Sequence, residues 1–423
     1  MPSPSINTPL ADIREAAVLG AGTMGRGIAT SLVNTGIAVT VIDPEATALE
    51  TARTAIADIF TASVKRGKVT ADESKSRQQQ ISYDTGDDAL KTADVIIEAV
   101  YENRDLKQKL FKKMDRLGKP GCILASNTSS LSIDDLADVT RHPQNVLGLH
   151  FFSPAHIMKL LEIVRGKKTS ADTIQRARAL GERIGKIPVV VGNCPGFTGN
   201  RMYHKYNAQA FHLLEEGAAP EQIDGALKKF GFAMGPLAVG DLSGLDIGWN
   251  IRKEKAKLEG IDADAPIVPD MICEAGRFGQ KTGKGWYQYH GGDRTPVPDP
   301  DAMAIIMAAS EKRGIRRREI TDKEITERCV FALINEGARL LDEGMVENTA
   351  DIDTVWTAGY GFPKDKTGPM HYGESIGLNH VTERLQHYYN NGATALKPAP
   401  LLEKPVAGGQ TFSDLTEHKR KHR

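Results

Sequence analysis

A doubly wound α/β sheet followed by a duplicated, all-helical C-terminal domain is the architecture this 423-residue sequence predicts. Three observations predict it. Ala16–Asp43 reads as strand, glycine turn, helix, strand. Short apolar runs then alternate with helical stretches as far as Val191. Beyond Cys194 the strand signals stop, and one helical pattern occurs twice.

The first element is the apolar run Ala16–Leu19, a buried strand. Gly20, Gly22 and Gly25 follow in a G-x-G-x-x-G frame, opening a helix over Thr23–Asn34. Gly20 allows the tight turn. Gly22 removes a side chain where a pyrophosphate approaches, and Gly25 lets the helix lie close on the strand. The helix N-terminus, at Thr23 and beyond, offers free N–H groups to phosphate. Gly36 sits where a helix-ending glycine belongs. Ala38–Ile42 is the second strand and Asp43 ends it, placed to accept hydrogen bonds from ribose hydroxyls and to repel a 2′-phosphate. Pro44 and Glu45 follow with no Arg, so the expected cofactor of this Rossmann-type unit is NAD rather than NADP.

The next stretches continue the alternation. Residues 45–67 are an Ala-rich helix, 69–79 a polar loop or helix end, and 81–83 a short strand. Strands are expected at 94–100, 122–126 and 146–152, with a helix over 102–116. In such sheets ligands bind beyond the carboxyl ends of the strands. Glu102, Asn127, Ser129 and His150 all fall at or just past such ends. Between His150 and Glu162 the sequence is HFFSPAHIMKLLE, where Ser153-Pro154 turns the chain and KLLEIV returns as a strand. That reversal brings Glu162 beside His150. A carboxylate between Leu160, Leu161, Ile163 and Val164 needs a partner, and imidazole serves. A helix at 172–184 and a strand at 187–191 close the domain.

From Cys194 onward helices are expected over 198–216 and 220–230, and Gly/Pro/Asp-rich residues 289–301 read as a linker. LLEEGAAPEQIDGALKKFGF at 213–232 then parallels LLDEGMVENTADIDTVWTAGYGF at 340–362. Glu216-Gly217 matches Glu343-Gly344, Ile223-Asp224 matches Ile352-Asp353, Gly231-Phe232 matches Gly361-Phe362, and Gly244-Leu245 matches Gly377-Leu378. The resulting domain reading is a disordered segment 1–13, a Rossmann-type domain 14–193, a first helical copy 194–290, a linker 291–310, a second copy 311–400 and a tail 401–423.

Composition narrows the partners. Lys+Arg and Asp+Glu both number 54, which gives no support for nucleic-acid or membrane-surface binding. The basic end, HKRKHR, reads as a solvated tail. Cys122, Cys194, Cys273 and Cys329 are widely spaced and suggest a reducing compartment. No segment is apolar and long enough for a membrane span, and the polar, Pro-rich N-terminus lacks a signal-peptide core. A cytoplasmic protein fits. No HExxH motif or Cys/His cluster argues for a metal.

The glycine fingerprint, EAVYENRDLK, SNTSSL, HFFSPAHIMKLLEIV and PGFTGNR together resemble the L-3-hydroxyacyl-CoA dehydrogenase family, over roughly residues 14–390. The duplicated C-terminal domain resembles the dehydrogenase half of multifunctional fatty-acid oxidation enzymes. In those a hydratase/isomerase domain precedes the fingerprint; here only a short segment does, so the resemblance predicts no such activity. It implies His150 as catalytic base and Glu162 as its partner, with Ser129 and Asn200 lining the reacting centre. Met24, Asp43, Glu102 and Lys107 match nucleotide contacts, joining Gly20, Gly22, Thr23 and Gly25. Tyr372 falls where the multifunctional enzymes have a substrate-side tyrosine. Ser153 departs from the Asn that many members carry in HFFNP. Lys65, Arg66 and Lys68 read equally as contacts to CoA phosphates or as a solvated helix end. Relatives with one C-terminal copy pair through it, so two copies in one chain imply internal packing and a working monomer.

The chemistry is consistent with these residues. Oxidising a secondary alcohol removes a proton from oxygen and a hydride from carbon. Imidazole, with an unperturbed pKa of about 6.5, suits the proton. A carboxylate suits the task of holding the ring. The expected reaction is reversible oxidation of an (S)-3-hydroxyacyl-CoA, with acyl-CoA as substrate partner. Rival readings are a dehydrogenase of a free hydroxy acid and a catalytically idle NAD-binding protein. HFFSP followed by LLEIV disfavours the first, and retention of both His150 and Glu162 disfavours the second.

Overall fold

The computed structural model describes residues 13–260, 262, 264–403 and 411–415. Residues 1–12 of the N-terminal segment, and 404–410 and 416–423 of the tail with its basic end, lie outside them. The chain forms two compact units: the residues up to Thr198 with Gly344–Glu347, and Gly199–Glu343 with the residues from Asn348 on.

The first unit is built on one eight-stranded sheet in the order β3-β2-β1-β4-β5-β6-β7-β8. Its strands are β1 (Glu15–Leu19), β2 (Ala38–Ile42), β3 (Ile81–Asp84), β4 (Val95–Glu98), β5 (Ile123–Ser126), β6 (Val146–Phe151), β7 (Leu160–Arg165) and β8 (Ile187–Gly192). All neighbours run parallel except β6 and β7. The connecting helices are α1 (Thr23–Val33), α2 (Ala46–Lys65), α3 (Ala71–Gln79), α4 (Arg104–Leu117), α5 (Ile133–Ala137) and α6 (Ala171–Arg183). β4, β5 and β6 are buried at every residue, the signature of parallel strands covered on both faces. Ile28, Leu32 and Val33 of α1 and Leu49, Ile56 and Phe60 of α2 join them in one apolar core.

One polar stretch departs from the sequence reading. Residues 69–79, read as a loop or helix end, hold α3. This helix buries only Ser74, so it has no apolar face to announce it. It stands on a capping box: the Thr70 hydroxyl accepts from the Glu73 N–H at 3.1 Å, and the Glu73 carboxylate accepts from the Thr70 N–H at 2.7 Å.

The second unit is helical and carries the repeat. Its first copy contains α7 (Gly199–Glu216), α8 (Pro220–Phe230), α9 (Pro236–Ser243), α10 (Leu245–Glu259) and α11 (Val268–Glu274). Within the residues read as a linker lies β10 (Val297–Pro298), which pairs antiparallel with β9 (Tyr287–Gln288) just before them, and α12 (Pro300–Lys312) begins there. The second copy contains α13 (Asp322–Asp342), α14 (Thr349–Gly359), α15 (Pro369–Ile376) and α16 (Leu378–Asn390).

The copies share two devices. Asp224 accepts from the Leu237 and Ala238 N–H groups at 3.0 and 2.9 Å, capping α9. Asp353 accepts from the Met370 and His371 N–H groups at 2.7 and 3.1 Å, capping α15 in the same way. A Cβ on Gly235 or Gly368 would stand 2.2 or 2.3 Å from the capping carboxylate, so both approaches need glycine. The second device is reciprocal. Arg201 of the first copy binds Glu336 and Glu343 of the second, each at 2.6 Å. Arg328 of the second binds Gln209 and Glu216 of the first, at 3.1 and 2.6 Å. Gln209 and Glu216 occupy the positions in α7 that Glu336 and Glu343 occupy in and beside α13. The two halves therefore meet as an isologous pair within one chain.

Candidate active site

The glycine turn forms a cradle whose three positions differ physically. Gly20 has φ +104°, and a Cβ there would lie 2.7 Å from the Ala99 carbonyl oxygen. A Cβ on Gly25 would lie 1.9 Å from the Gly20 carbonyl oxygen, so the helix–turn packing forbids any side chain. A Cβ on Gly22 would meet nothing within 4 Å. Packing within the protein therefore does not require glycine at this position. Gly22 and Thr23 are exposed and Met24 is half-buried. No side chain caps α1, and its first turn carries no acid. Its N–H groups fit a pyrophosphate. Asp43 stands at the end of β2, half-buried, its carboxylate accepting from the Ala21 and Glu45 N–H groups at 2.9 and 3.1 Å.

Glu102 and Lys107 lie together past β4, joined by a residue the sequence reading missed. Glu98, the last residue of β4, is fully buried. Its carboxylate accepts from the Ser126 hydroxyl at 2.6 Å and lies 2.9 Å from the Lys107 ammonium. Lys107 is 1% exposed and also reaches Glu102 at 2.9 Å. It thus anchors Glu102 from beneath. Glu102 accepts from Thr128, from the Ser129 N–H at 3.2 Å and from the Ser130 hydroxyl at 3.0 Å. Burial works to raise its pKa, but the Lys107 charge and these hydrogen bonds outweigh it and hold the carboxyl below its ordinary value. Ser129 is brought to this cluster at the end of β5, half-buried.

His150 and Glu162 are directly opposite each other in the antiparallel β6/β7 pair. The His150 Nδ1 lies 2.7 Å from the Glu162 carboxylate. Glu162 is fully buried and His150 is 5% exposed. In an antiparallel pair facing residues sit on one face, so the turn after Ser153-Pro154 sets this contact by register. Two aromatic rings hold the imidazole: Phe152 at 4.5 Å and Phe197 at 5.5 Å between centroids. Phe197 has φ +51°, a left-handed conformation that costs a non-glycine residue energy. Its buried ring against His150 is what that backbone delivers.

The turn joining the two strands is also held from outside. The Lys186 ammonium donates to the carbonyls of Ala155 and of Met158, the latter at 2.7 Å. The Ser31 hydroxyl of α1 donates to Ala155 at 3.2 Å. Burial, with Lys159 nearby, pushes the Lys186 pKa down to about 8. Phe197 and Lys186 were not singled out as site residues from sequence, because each acts on residues far along the chain; Phe152 stands two residues from His150, within the HFFSP stretch.

Asn200 and Tyr372 belong to the helical unit. Asn200 opens α7, and its amide oxygen accepts from the Tyr360 hydroxyl at 2.8 Å. Tyr372, on α15, packs edge-on against Phe230 at 5.1 Å. Burial raises its phenol pKa. Among the described residues no group of three or more His, Cys, Asp or Glu could hold a metal ion. No described helix is long and apolar enough to cross a membrane.

A glycine cradle at the head of a largely parallel sheet, with a buried His–Glu pair where β6 ends and the antiparallel β7 begins, defines a nucleotide-dependent dehydrogenase architecture. The comparisons with known proteins narrow this class. The chain belongs to the 3-hydroxyacyl-CoA dehydrogenase family: the family model of its NAD binding domain matches residues 15–194, and that of its C-terminal domain matches twice, at 196–289 and 325–413. NAD is accordingly its cofactor. A peroxisomal bifunctional enzyme of Danio rerio is 46% identical over 418 residues, covering 95% of this chain and 57% of the relative. The chain thus spans little more than half the length of that relative. A 3-hydroxybutyryl-CoA dehydrogenase from Escherichia coli K12 has a similar structure, with TM-score 0.82 and 27% identity over 93% of this chain and 98% of that one. The dehydrogenase part of multifunctional enzyme 1 from C. elegans aligns with TM-score 0.68 and 29% identity, over 93% and 90% of the two chains.

Proposed function

We propose that this chain interconverts (S)-3-hydroxyacyl-CoA and 3-oxoacyl-CoA in β-oxidation or related acyl-CoA metabolism. The observation that carries the reading is the buried His150–Glu162 pair, 2.7 Å apart. With Nδ1–H donating to Glu162, Nε2 is the basic atom of the ring. His150 takes the hydroxyl proton during oxidation and returns it during reduction. Glu162 fixes the tautomer and stabilises the imidazolium. Bound NAD+ supplies the hydride acceptor. Gly20, Gly22, Thr23, Met24 and Gly25 cradle its phosphates, and Asp43 takes a ribose. Glu102, anchored by Lys107, orders the Ser129 turn. Ser129 and Asn200 donate to the substrate oxygens, with Tyr372 on the substrate side. A groove of about 700 Å³ between α2 and α3, lined by Arg53, Lys65 and Lys75, suits the phosphates of CoA.

Two further readings follow. The reciprocal arginine contacts support a working monomer, and a concentration-independent dimer in light scattering refutes it. The Danio rerio relative is peroxisomal by name, which gives the expected cytoplasmic location no support. Fractionation of the source cells decides the compartment.

NADH oxidation with acetoacetyl-CoA and longer 3-oxoacyl-CoAs, with NADPH alongside, tests the reaction. His150→Gln should lower turnover by about 10²–10⁴-fold, the usual worth of a positioned base, with NADH binding retained. Near-normal turnover in that variant removes His150 from the chemistry. Turnover on free acids and none on thioesters favours the rival dehydrogenase, and NADH binding without any turnover favours the idle protein.

A further inference from the structure

We propose that Tyr360, supplied by the second helical copy, is a positioning residue for Asn200 of the first. This rests on the reading of Asn200 as a substrate-side donor. The Tyr360 hydroxyl donates to the amide oxygen of Asn200 at 2.8 Å. An amide whose oxygen is engaged in this way is fixed against rotation. It keeps both Nδ2–H donors for the substrate carbonyl oxygen, where negative charge builds during reduction.

Several contacts hold the tyrosine in place. Its ring stacks on Trp356 at 4.8 Å and packs against Tyr203 at 5.5 Å. Trp356 is fully buried, and its indole N–H points to the Met202 sulfur at 3.2 Å. Gly199 leaves the room: a Cβ there would stand 2.5 Å from the Tyr360 ring and 2.6 Å from its hydroxyl. The next residue, Arg201, ties the same turn of α7 to Glu336 and Glu343. The start of α7 is therefore clamped by the second copy on both sides of Asn200.

The repeat provides an internal control. The Arg201–Arg328 correspondence pairs Asn200 with Glu327, and the Phe232–Phe362 correspondence pairs Tyr360 with Phe230. Phe230 has no hydroxyl to donate. Glu327 is engaged elsewhere, by Arg384 at 2.8 Å and the Tyr388 hydroxyl at 2.6 Å. The scaffold contacts recur in both halves, whereas the tyrosine–asparagine contact exists in one. A contact needed only for packing the halves has no reason to break the symmetry that the arginines keep.

A double-mutant cycle tests the proposal: Asn200→Ala, Tyr360→Phe and both together, assayed with acetoacetyl-CoA and NADH. Phenylalanine keeps the ring that stacks on Trp356. Tyr360→Phe should lower kcat about tenfold, the order of one hydrogen bond realised in the transition state, with smaller change in KM. NADH affinity and melting temperature should stay at wild-type values. In the Asn200→Ala background the same substitution should have no further effect. Asn200→Ala impaired with Tyr360→Phe fully active overturns this inference alone. Equal losses from Tyr360→Phe in both backgrounds, or a loss that follows a lowered melting temperature, overturn it too. Full activity in Asn200→Ala overturns the reading of Asn200 and this inference with it.

Discussion

The two halves of the helical unit use one scaffold for different ends. Each caps a short helix with a buried aspartate, and each sends an arginine into the other half. The environments differ. The Arg328 side chain is 2% exposed and shares Glu216 and Glu324 with Arg318. The Arg201 side chain is 18% exposed, and one of its partners, Glu343, is 45% exposed. Asp224 gains a third donor, the Tyr287 hydroxyl at 2.8 Å, from the β9 strand, which has no counterpart among the described residues of the second half. Duplication kept the groups that hold helices together. Around that shared frame each half acquired its own burial and its own polar partners.

Arginine removal should break the comparison most sharply. Arg328→Ala leaves Gln209 buried and Glu216 half-buried, with Arg318 as the remaining cation. We expect a loss of about 3 kcal/mol in urea unfolding, at the low end for a broken buried pair. Arg201→Ala should cost less, about 1–2 kcal/mol, because water reaches Glu343 and screens the change. Equal losses would mean that the two clamps are energetically equivalent despite their different burial.

A finer test uses pH. Burial pushes the Asp353 pKa up to about 6. In the unfolded chain an aspartate titrates near 3.9. Between these values the folded state holds a proton that the unfolded state has lost. Stability from this group therefore rises as pH falls from 7 toward 5, and its penalty is fully present above pH 6. Compared with Asp353→Asn, the wild-type chain should gain about 1–2 kcal/mol between pH 7 and pH 5 in paired unfolding curves. A difference that does not change with pH would show that Asp353 does not titrate in this range.

Legibility in the sequence followed distance along the chain. The His150–Glu162 contact was legible because a turn signal and two apolar runs lie within a dozen residues. The nucleotide cradle was legible for the same reason. Helix α3 was partly so: Thr70 and Glu73 carry a capping-box pattern, but without an apolar stripe the helix left no periodic signal. Glu98 on Ser126, Phe197 against His150 and Tyr360 on Asn200 were not legible. Each belongs to a contact whose partner no local pattern names.

The amino-acid order by itself determined the alternation of strands and helices, the glycine turn, the strand reversal at Ser153-Pro154 and the helical repeat. All of these rest on short-range sterics, hydrophobic period and internal similarity. Only the tertiary structure decided which charges meet. It buried Lys107 between two carboxylates, crossed Arg201 and Arg328 between the halves, and gave Tyr360 to Asn200 while leaving Phe230 without a counterpart bond. The physical reason is that burial and pairing of polar groups depend on every element packed around them, and no single stretch of chain contains that information.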